Sequence, residues 1–451
     1  MDPTPPPTPR ALDREVLRLA LPALGALVAE PLFVLVDTAM VGHLGAAPLA
    51  GLGIAATVLQ TAVGLAVFLA YATTPVVARL LGAGERPQAL RAGVEGMWLG
   101  LGLGVLLAAA GVPAAVPLLD AFGAAPETAA EARAYLLPSL AGLPAMLLVL
   151  AATGLLRGLQ DTRTPLAVAT IGFAANAGLN ALLIYGAGLG VAGSALGTVL
   201  AQWGMATVSI AIAVRAARRE GVPLRPGLPR RGLAGASWWL LLRTLWLRAA
   251  LVAVVWTGAQ LGTAETAALH VLFSVTTLLA FVLDAIAIAA QALIGHDLGA
   301  GARRRVREVT RRMTGWGVAS GVVLGAAVGL GAGWIGRAFS SDEAVLAILP
   351  GALLLLAAAQ PLAGYVFVLD GVLIGAGDAR YLALAGLAPL GALLPCLLAL
   401  RLWGPEGGSG LVWLWAAFAF GFMGVRAATL WLRARGEAWL VTGATRSPPG
   451  S

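Results

Sequence analysis

The chain has 451 residues, 59% of them hydrophobic and only 12% charged, with a mean hydropathy of +0.86. That balance excludes a soluble globular domain and indicates a polytopic membrane protein. All 30 basic residues are arginines and the formal net charge is +8, but they punctuate apolar runs without forming a continuous face, so nucleic acid is not an expected partner.

In chain order, residues 1–14 open with the proline-rich MDPTPPPTPR and are expected to be disordered on the cytoplasmic side. Twelve apolar runs long enough to cross a bilayer follow, at about 15–41, 49–79, 91–117, 131–156, 165–187, 190–214, 238–258, 264–294, 307–335, 343–374, 381–402 and 410–433. The most polar and basic connection lies between the sixth and seventh runs. It is the natural boundary between an N-lobe (15–215), a basic cytoplasmic linker (216–237), a C-lobe (238–435) and a cytoplasmic tail (436–451). The single Cys396 permits no internal disulfide.

The two halves repeat. LGAG at 81–84 returns at 298–301, and GLLRGLQDTR at 154–163 answers GVLIGAGDAR at 371–380, in each case 217 residues on. The same ungapped offset relates Pro144 to Pro361, Gly193 to Gly410 and Gly204 to Gly421. The expected fold is an all-α polytopic membrane protein of twelve transmembrane helices in two six-helix bundles related by pseudo-twofold symmetry. Arginines such as Arg79, Arg86, Arg157, Arg163, Arg303, Arg304, Arg305 and Arg380 collect in or beside the even-to-odd connections. The positive-inside rule then puts both termini in the cytoplasm of a cell whose inner membrane holds the chain.

Residues that couple an ion to alternating access should be ionisable and buried. Four acids qualify: Glu30 and Asp37 on helix 1, Asp284 on helix 8 and Asp370 on helix 10. An acid at mid-bilayer costs roughly 2.5–3.5 kcal/mol on insertion scales. None has an acidic counterpart in the repeat, where Leu247, Val254, Val67 and Thr153 stand, so scaffold symmetry does not explain them. Asn176 and Asn180, four apart on helix 5, share one face, and Thr198 on helix 6 belongs to the same half. Pro22 and Pro31 each remove a backbone hydrogen bond from helix 1 and permit a hinge. Burial disfavours a carboxyl's charged form while amide donors favour it, so a site balanced between the two can take up and release a proton.

Blander readings stand beside these. The two asparagines also suit plain interhelical hydrogen bonds, worth about 0.6 kcal/mol each. Glu30 is able to snorkel or pair with an arginine, and Arg248 to neutralise Asp284 or Asp370 as a structural pair. For Asp37 the functional reading is favoured, because no arginine of its own half lies mid-span. GLGVAG at 188–193 fits a dinucleotide motif but follows no strand, and GAGD at 375–378 lacks a second catalytic acid. His43, His270 and His296 form no metal-ligand set. No catalytic residue, cofactor or metal is expected, and the chain is not read as an enzyme.

LALPALGALVAEPLFVLVDTAMVGHLG, LRGLQDTRTP, ALIGHDLGAG and LIGAGDAR together resemble the multidrug and toxic compound extrusion (MATE) transporters over residues 11–435, most closely the DinF-like branch. The resemblance implies two lobes exporting small amphipathic, often cationic compounds in exchange for protons or sodium. It implies a protonation site at Asp37, surrounded by Tyr135, Asn176, Asn180 and Thr198. Many relatives carry Asp where this chain has Asn180, and with one fewer carboxylate a proton gradient becomes the better expectation than sodium. Asp370 matches a C-lobe acid tied to cation coupling in another branch, whereas the helix 7 acid that accompanies it there is missing here. The expected partners are the lipid bilayer and the small amphipathic substrates, with the chain a monomer. The alternative is a lipid-linked precursor flippase of the same superfamily.

Overall fold

In the computed structural model of the protein the described residues are 9–227, 231–405 and 407–444. Among them are sixteen α-helical segments, two π-helical segments and no strand. By length and composition they make eleven candidate membrane spans, and a twelfth from one pair bent by 52°. Large apolar side chains on the outside, such as Leu330 at 88% and Trp334 at 80% exposure, fit a lipid-facing surface and would be a liability in water.

The chain forms two compact units. One is built around Leu21–Ser237, and the other around Trp238–Thr442 with the start of helix α1 up to Ala20. The first unit holds most of α1 (Pro9–Gly42), then α2 (Ala46–Ala66) and α3 (Phe68–Gly82) as one span, α4 (Arg86–Asp120), and the bent pair α5 (Pro126–Leu140) and α6 (Leu143–Gly158). It closes with α7 (Arg163–Ala181), continued by a π-helical turn at Leu182–Gly186, and α8 (Gly190–Arg219). The second holds α9 (Arg231–Gly258) from Trp238 onward, α10 (Thr263–Gly299), α11 (Arg303–Phe339), α12 (Glu343–Gly375), α13 (Ala379–Ala385), α14 (Leu387–Trp403) and α15 (Gly407–Ala416). A π-helical stretch at Ala417–Phe422 then leads into α16 (Met423–Arg435).

The repeat read from sequence is present in the backbone. The span Ala46–Gly82 and α10 share both ends at the 217-residue offset, as do Pro126–Gly158 and α12. Helix packing repeats too. A Cβ on Gly104 would collide with the backbone of Pro144, and one on its counterpart Gly321 with the backbone of Pro361, so each glycine lets α4 or α11 approach its neighbour closely. After α6 the chain turns through a left-handed residue, Gln160 at φ 62°, and after α12 through its counterpart Gly377 at φ 69°. Gln160 is the one non-glycine residue with positive φ among the described residues.

Three boundaries differ from expectation. Disorder was expected over residues 1–14, yet α1 begins at Pro9, because acids on its first turns find partners on α11. Arg312 donates to both oxygens of Asp13 at 2.7 and 2.5 Å, the Trp316 indole donates to Asp13 at 2.8 Å, and Arg305 donates to Glu15 at 2.8 Å. These contacts tie the start of α1, up to Ala20, to the second unit, whereas the expected division gave residues 1–14 to a terminal segment and 15 onward to the N-lobe. Residues 1–8 and 445–451 lie outside the described residues. The described part of the connection after α8 is no free linker either: Arg91 donates to the carbonyls of Pro223 and Arg225 at 2.6 and 3.0 Å, and Trp98 to that of Leu224 at 3.0 Å.

Candidate functional site

Asp37 lies near the end of α1 and is 5% exposed. Helix α1 meets α7 through side chains at a parallel register: Gly25 faces Leu166, Phe33 stacks on Phe173 with ring centroids 5.0 Å apart, and one turn further on Asp37 reaches Asn180. The amide of Asn180 donates to Asp37 Oδ1 at 2.8 Å, and the Ser194 hydroxyl on α8 donates to the same oxygen at 2.5 Å. On Oδ2 the one donor among the described residues is the Tyr135 hydroxyl of α5, at 3.4 Å. Ser194, Asn180 and Tyr135 are all buried, at 0%, 1% and 6% exposure, so water does not supply these bonds.

Asn176, one turn before Asn180, does not touch the acid. Its amide donates to the Thr198 hydroxyl at 3.0 Å, and Thr198 in turn meets the Tyr135 hydroxyl. The expected set of Asp37, Tyr135, Asn176, Asn180 and Thr198 is therefore one network, with Asn176 and Thr198 behind the residues that contact the carboxyl. Ser194 was not expected. Its signal lay in the spacing, since Ser194 and Thr198 are four apart and share a helical face. Gly197 was missed as well: a Cβ there would strike the Asn180 amide oxygen, so the missing side chain is what lets the amide seat between α7 and α8.

The donor set has a chemical consequence. An ionised carboxylate only accepts, and its two oxygens offer about four lone-pair sites. Two good bonds fall on Oδ1 and one long bond on Oδ2, and every donor is neutral. Hydroxyls also accept, so a proton placed on Oδ2 would turn the bond to Tyr135 around without moving a helix. The network serves both protonation states.

The C-lobe acids sit differently. Asp370 on α12 is bound by two guanidiniums, Arg243 of α9 on Oδ2 and Arg426 of α16 on Oδ1. The expectation that Arg248 would neutralise this acid is corrected: Arg248 is exposed, and a five-residue separation on α9 turns it well away from the direction of Arg243. With two cations on one carboxylate, Asp370 offers no open cation site. Asp284 is half-buried on α10 and not without an interaction of its own. Glu30 is exposed on α1, almost two turns before Asp37, and among the described residues the partners of Asp37 are Tyr135, Asn180 and Ser194 rather than Glu30. Both expected hinge prolines, Pro22 and Pro31, lie inside α1, and the change from one unit to the other falls between Ala20 and Leu21, beside Pro22. Among the described residues no group of three or more His, Cys, Asp or Glu is placed to hold a metal.

The family model described as MatE matches residues 22–182 and 244–394. The chain is 30% identical over 441 residues to the DNA damage-inducible protein F of Escherichia coli (strain K12), covering 93% of this chain and 92% of that protein. It is also 30% identical over 395 residues to Protein DETOXIFICATION 44, chloroplastic, of Arabidopsis thaliana, covering 82% of this chain and 73% of the relative. Among solved structures it is similar to the MATE transporter VcmN of Vibrio cholerae in its bent form, with a TM-score of 0.84, 22% identity and coverage of 95% and 97%. A MATE protein solved in a straight conformation matches with a TM-score of 0.80, 21% identity and coverage of 94% and 95%. The chain belongs to the MATE family of membrane transporters.

Proposed function

We propose that this transporter exports small amphipathic compounds, cationic or lipophilic, in exchange for protons, and that Asp37 carries the proton. The observation behind this reading is the contrast between two buried aspartates. Asp370 is neutralised by two arginines, whereas Asp37 is held only by the neutral donors Asn180, Ser194 and Tyr135. A buried carboxylate without a cation is the one whose charge can change as its surroundings change. Sodium fits less well, because a hard cation prefers several carboxylate oxygens and this network has one carboxylate.

In the proposed cycle, outward-facing Asp37 takes a proton on Oδ2, Tyr135 accepts in place of donating, and α1 bends near Pro22 as substrate leaves. Release of the proton to the cytoplasm restores the ionised network. A proton crossing about 150 mV releases roughly 3.5 kcal/mol, which supports a substrate gradient of a few hundredfold at 1.4 kcal/mol per tenfold. For a neutral lipophilic substrate one proton per cycle suffices; exchange of one proton for a monovalent cation is electroneutral and is driven by the pH difference alone. The arginine distribution favours both termini on the cytoplasmic side of the inner membrane, and the chain is taken to work as a monomer.

The test is efflux of a fluorescent dye cation from proteoliposomes of the purified chain under a proton gradient or a sodium gradient imposed separately. Efflux driven by protons and indifferent to sodium is expected. Efflux driven by sodium alone would overturn proton coupling, and none under either gradient would favour the flippase reading.

A further inference from the structure

We propose that the outward face of the first turns of α1 binds the headgroup of an anionic phospholipid, with arginines taking the phosphate and leucines the start of the acyl chains. Arg10, Arg14, Leu17, Arg18 and Leu21 recur at helical spacing and so share one face. All of them are exposed, Leu17 at 36% and Leu21 at 62%. Leu12, Val16 and Leu19 form the opposite stripe, each 1% exposed, and it is this stripe that packs into the protein. Both acids of the segment are engaged in that docking, Asp13 with Arg312 and Trp316, and Glu15 with Arg305. Among the described residues none of the three outward arginines has an ion pair, so the face keeps its positive charge.

Helix length places that face at headgroup depth. From Leu21 to Gly42 the helix rises about 33 Å at about 1.5 Å per residue, enough to cross a hydrocarbon core of about 30 Å. The turns before Leu21 continue the same helix out of that core, and Arg18 and Arg14 fall about 5 and 10 Å beyond it, in the headgroup layer and at its edge. A phosphodiester suits two guanidiniums four residues apart, because its oxygens accept forked bonds and it carries the opposite charge. An acidic peptide offers the charge but no chains to lie on Leu17 and Leu21, which favours a lipid. A zwitterionic lipid brings its own cation beside the phosphate and gains less from three arginines. The inference needs α1 to span the membrane and uses none of the residues of the proton pathway.

Native mass spectrometry of the purified full-length protein, with equimolar phosphatidylglycerol and phosphatidylcholine of matched chains added to the detergent, tests the assignment through the first lipid retained. Each arginine near a headgroup contributes about fivefold to anionic-lipid affinity, so the wild type should retain phosphatidylglycerol over phosphatidylcholine by about tenfold or more. Arg14→Gln combined with Arg18→Gln should lower that ratio about tenfold, and Arg18→Gln alone about fivefold. Arg337→Gln, which removes an exposed arginine from the far end of α11, should leave it unchanged. All of these positions are exposed, so the variants should melt with the wild type in phosphatidylcholine. No preference in the wild type, a double variant that keeps the preference, or an equal loss from Arg337→Gln would overturn the proposal. Displacement of bound phosphatidylglycerol by glycerol 3-phosphate would also overturn it, in favour of a soluble phosphate.

Discussion

At Asp37 three neutral donors meet one carboxylate, and under the proposed proton exchange the identity of one donor should decide which ion the site prefers. Asn180 gives the N–H that Oδ1 accepts, and its own carbonyl oxygen has no partner among the described residues. Replacing it by aspartate puts a second carboxylate 2.8 Å away, a repulsion relieved by a shared proton or a bound hard cation. Asn180→Asp is therefore expected to make dye efflux respond to a sodium gradient, measured against the wild type in the same proteoliposomes. Much of this was legible in sequence: an acid with no arginine of its own half at mid-span, and two asparagines four apart. Ser194 escaped because serine is a common packing residue between membrane helices and carries no chemical signal of its own. The partners of Asp370 escaped for another reason, since choosing Arg243 over Arg248 requires the rotation of α9 about its axis.

Helix α1 is continuous from Pro9 to Gly42 with two prolines inside it, and the first lies where the helix passes from one unit to the other. A proline within a helix costs on the order of 3 kcal/mol relative to alanine, so Pro22→Ala should raise the midpoint of thermal unfolding in detergent. It should also slow proton-driven efflux several-fold by stiffening the hinge. Faster or unchanged efflux would remove Pro22 from the mechanism. The turn after α6 offers a purely structural test. Gln160 adopts the left-handed conformation that its counterpart Gly377 adopts freely. Gln160→Gly should stabilise the fold by up to about 1 kcal/mol, and a calorimetric scan would detect it with efflux unaffected. The helices themselves were legible from their apolar runs. The π-helical stretches at Leu182–Gly186 and Ala417–Phe422 were not, and they occupy non-equivalent places in the two halves although each adjoins a polar cluster. Such turns arise from how a helix must rotate to aim its side chains, which periodicity does not record.

For the whole molecule, the repeat accounts for the scaffold, and positions that depart from it carry the buried acids. The same glycine and proline contacts hold α4 to its partner in one unit and α11 to its partner in the other, yet Asp37 stands opposite Val254 and Asp370 opposite Thr153 in the repeat. The repeat was legible because ungapped duplication preserves register. The division of labour was not, because it depends on which acid acquires cations. One half now holds an acid with neutral partners, suited to gaining and losing a proton. The other holds an acid fixed between two arginines. Proton coupling through the first acid is measured by dye-cation efflux from proteoliposomes under an imposed proton gradient, comparing the wild type with Asp37→Asn. Efflux should fall at least tenfold in the variant, with its fold intact by thermal unfolding; full proton-driven efflux by Asp37→Asn would rule out Asp37 as the proton carrier.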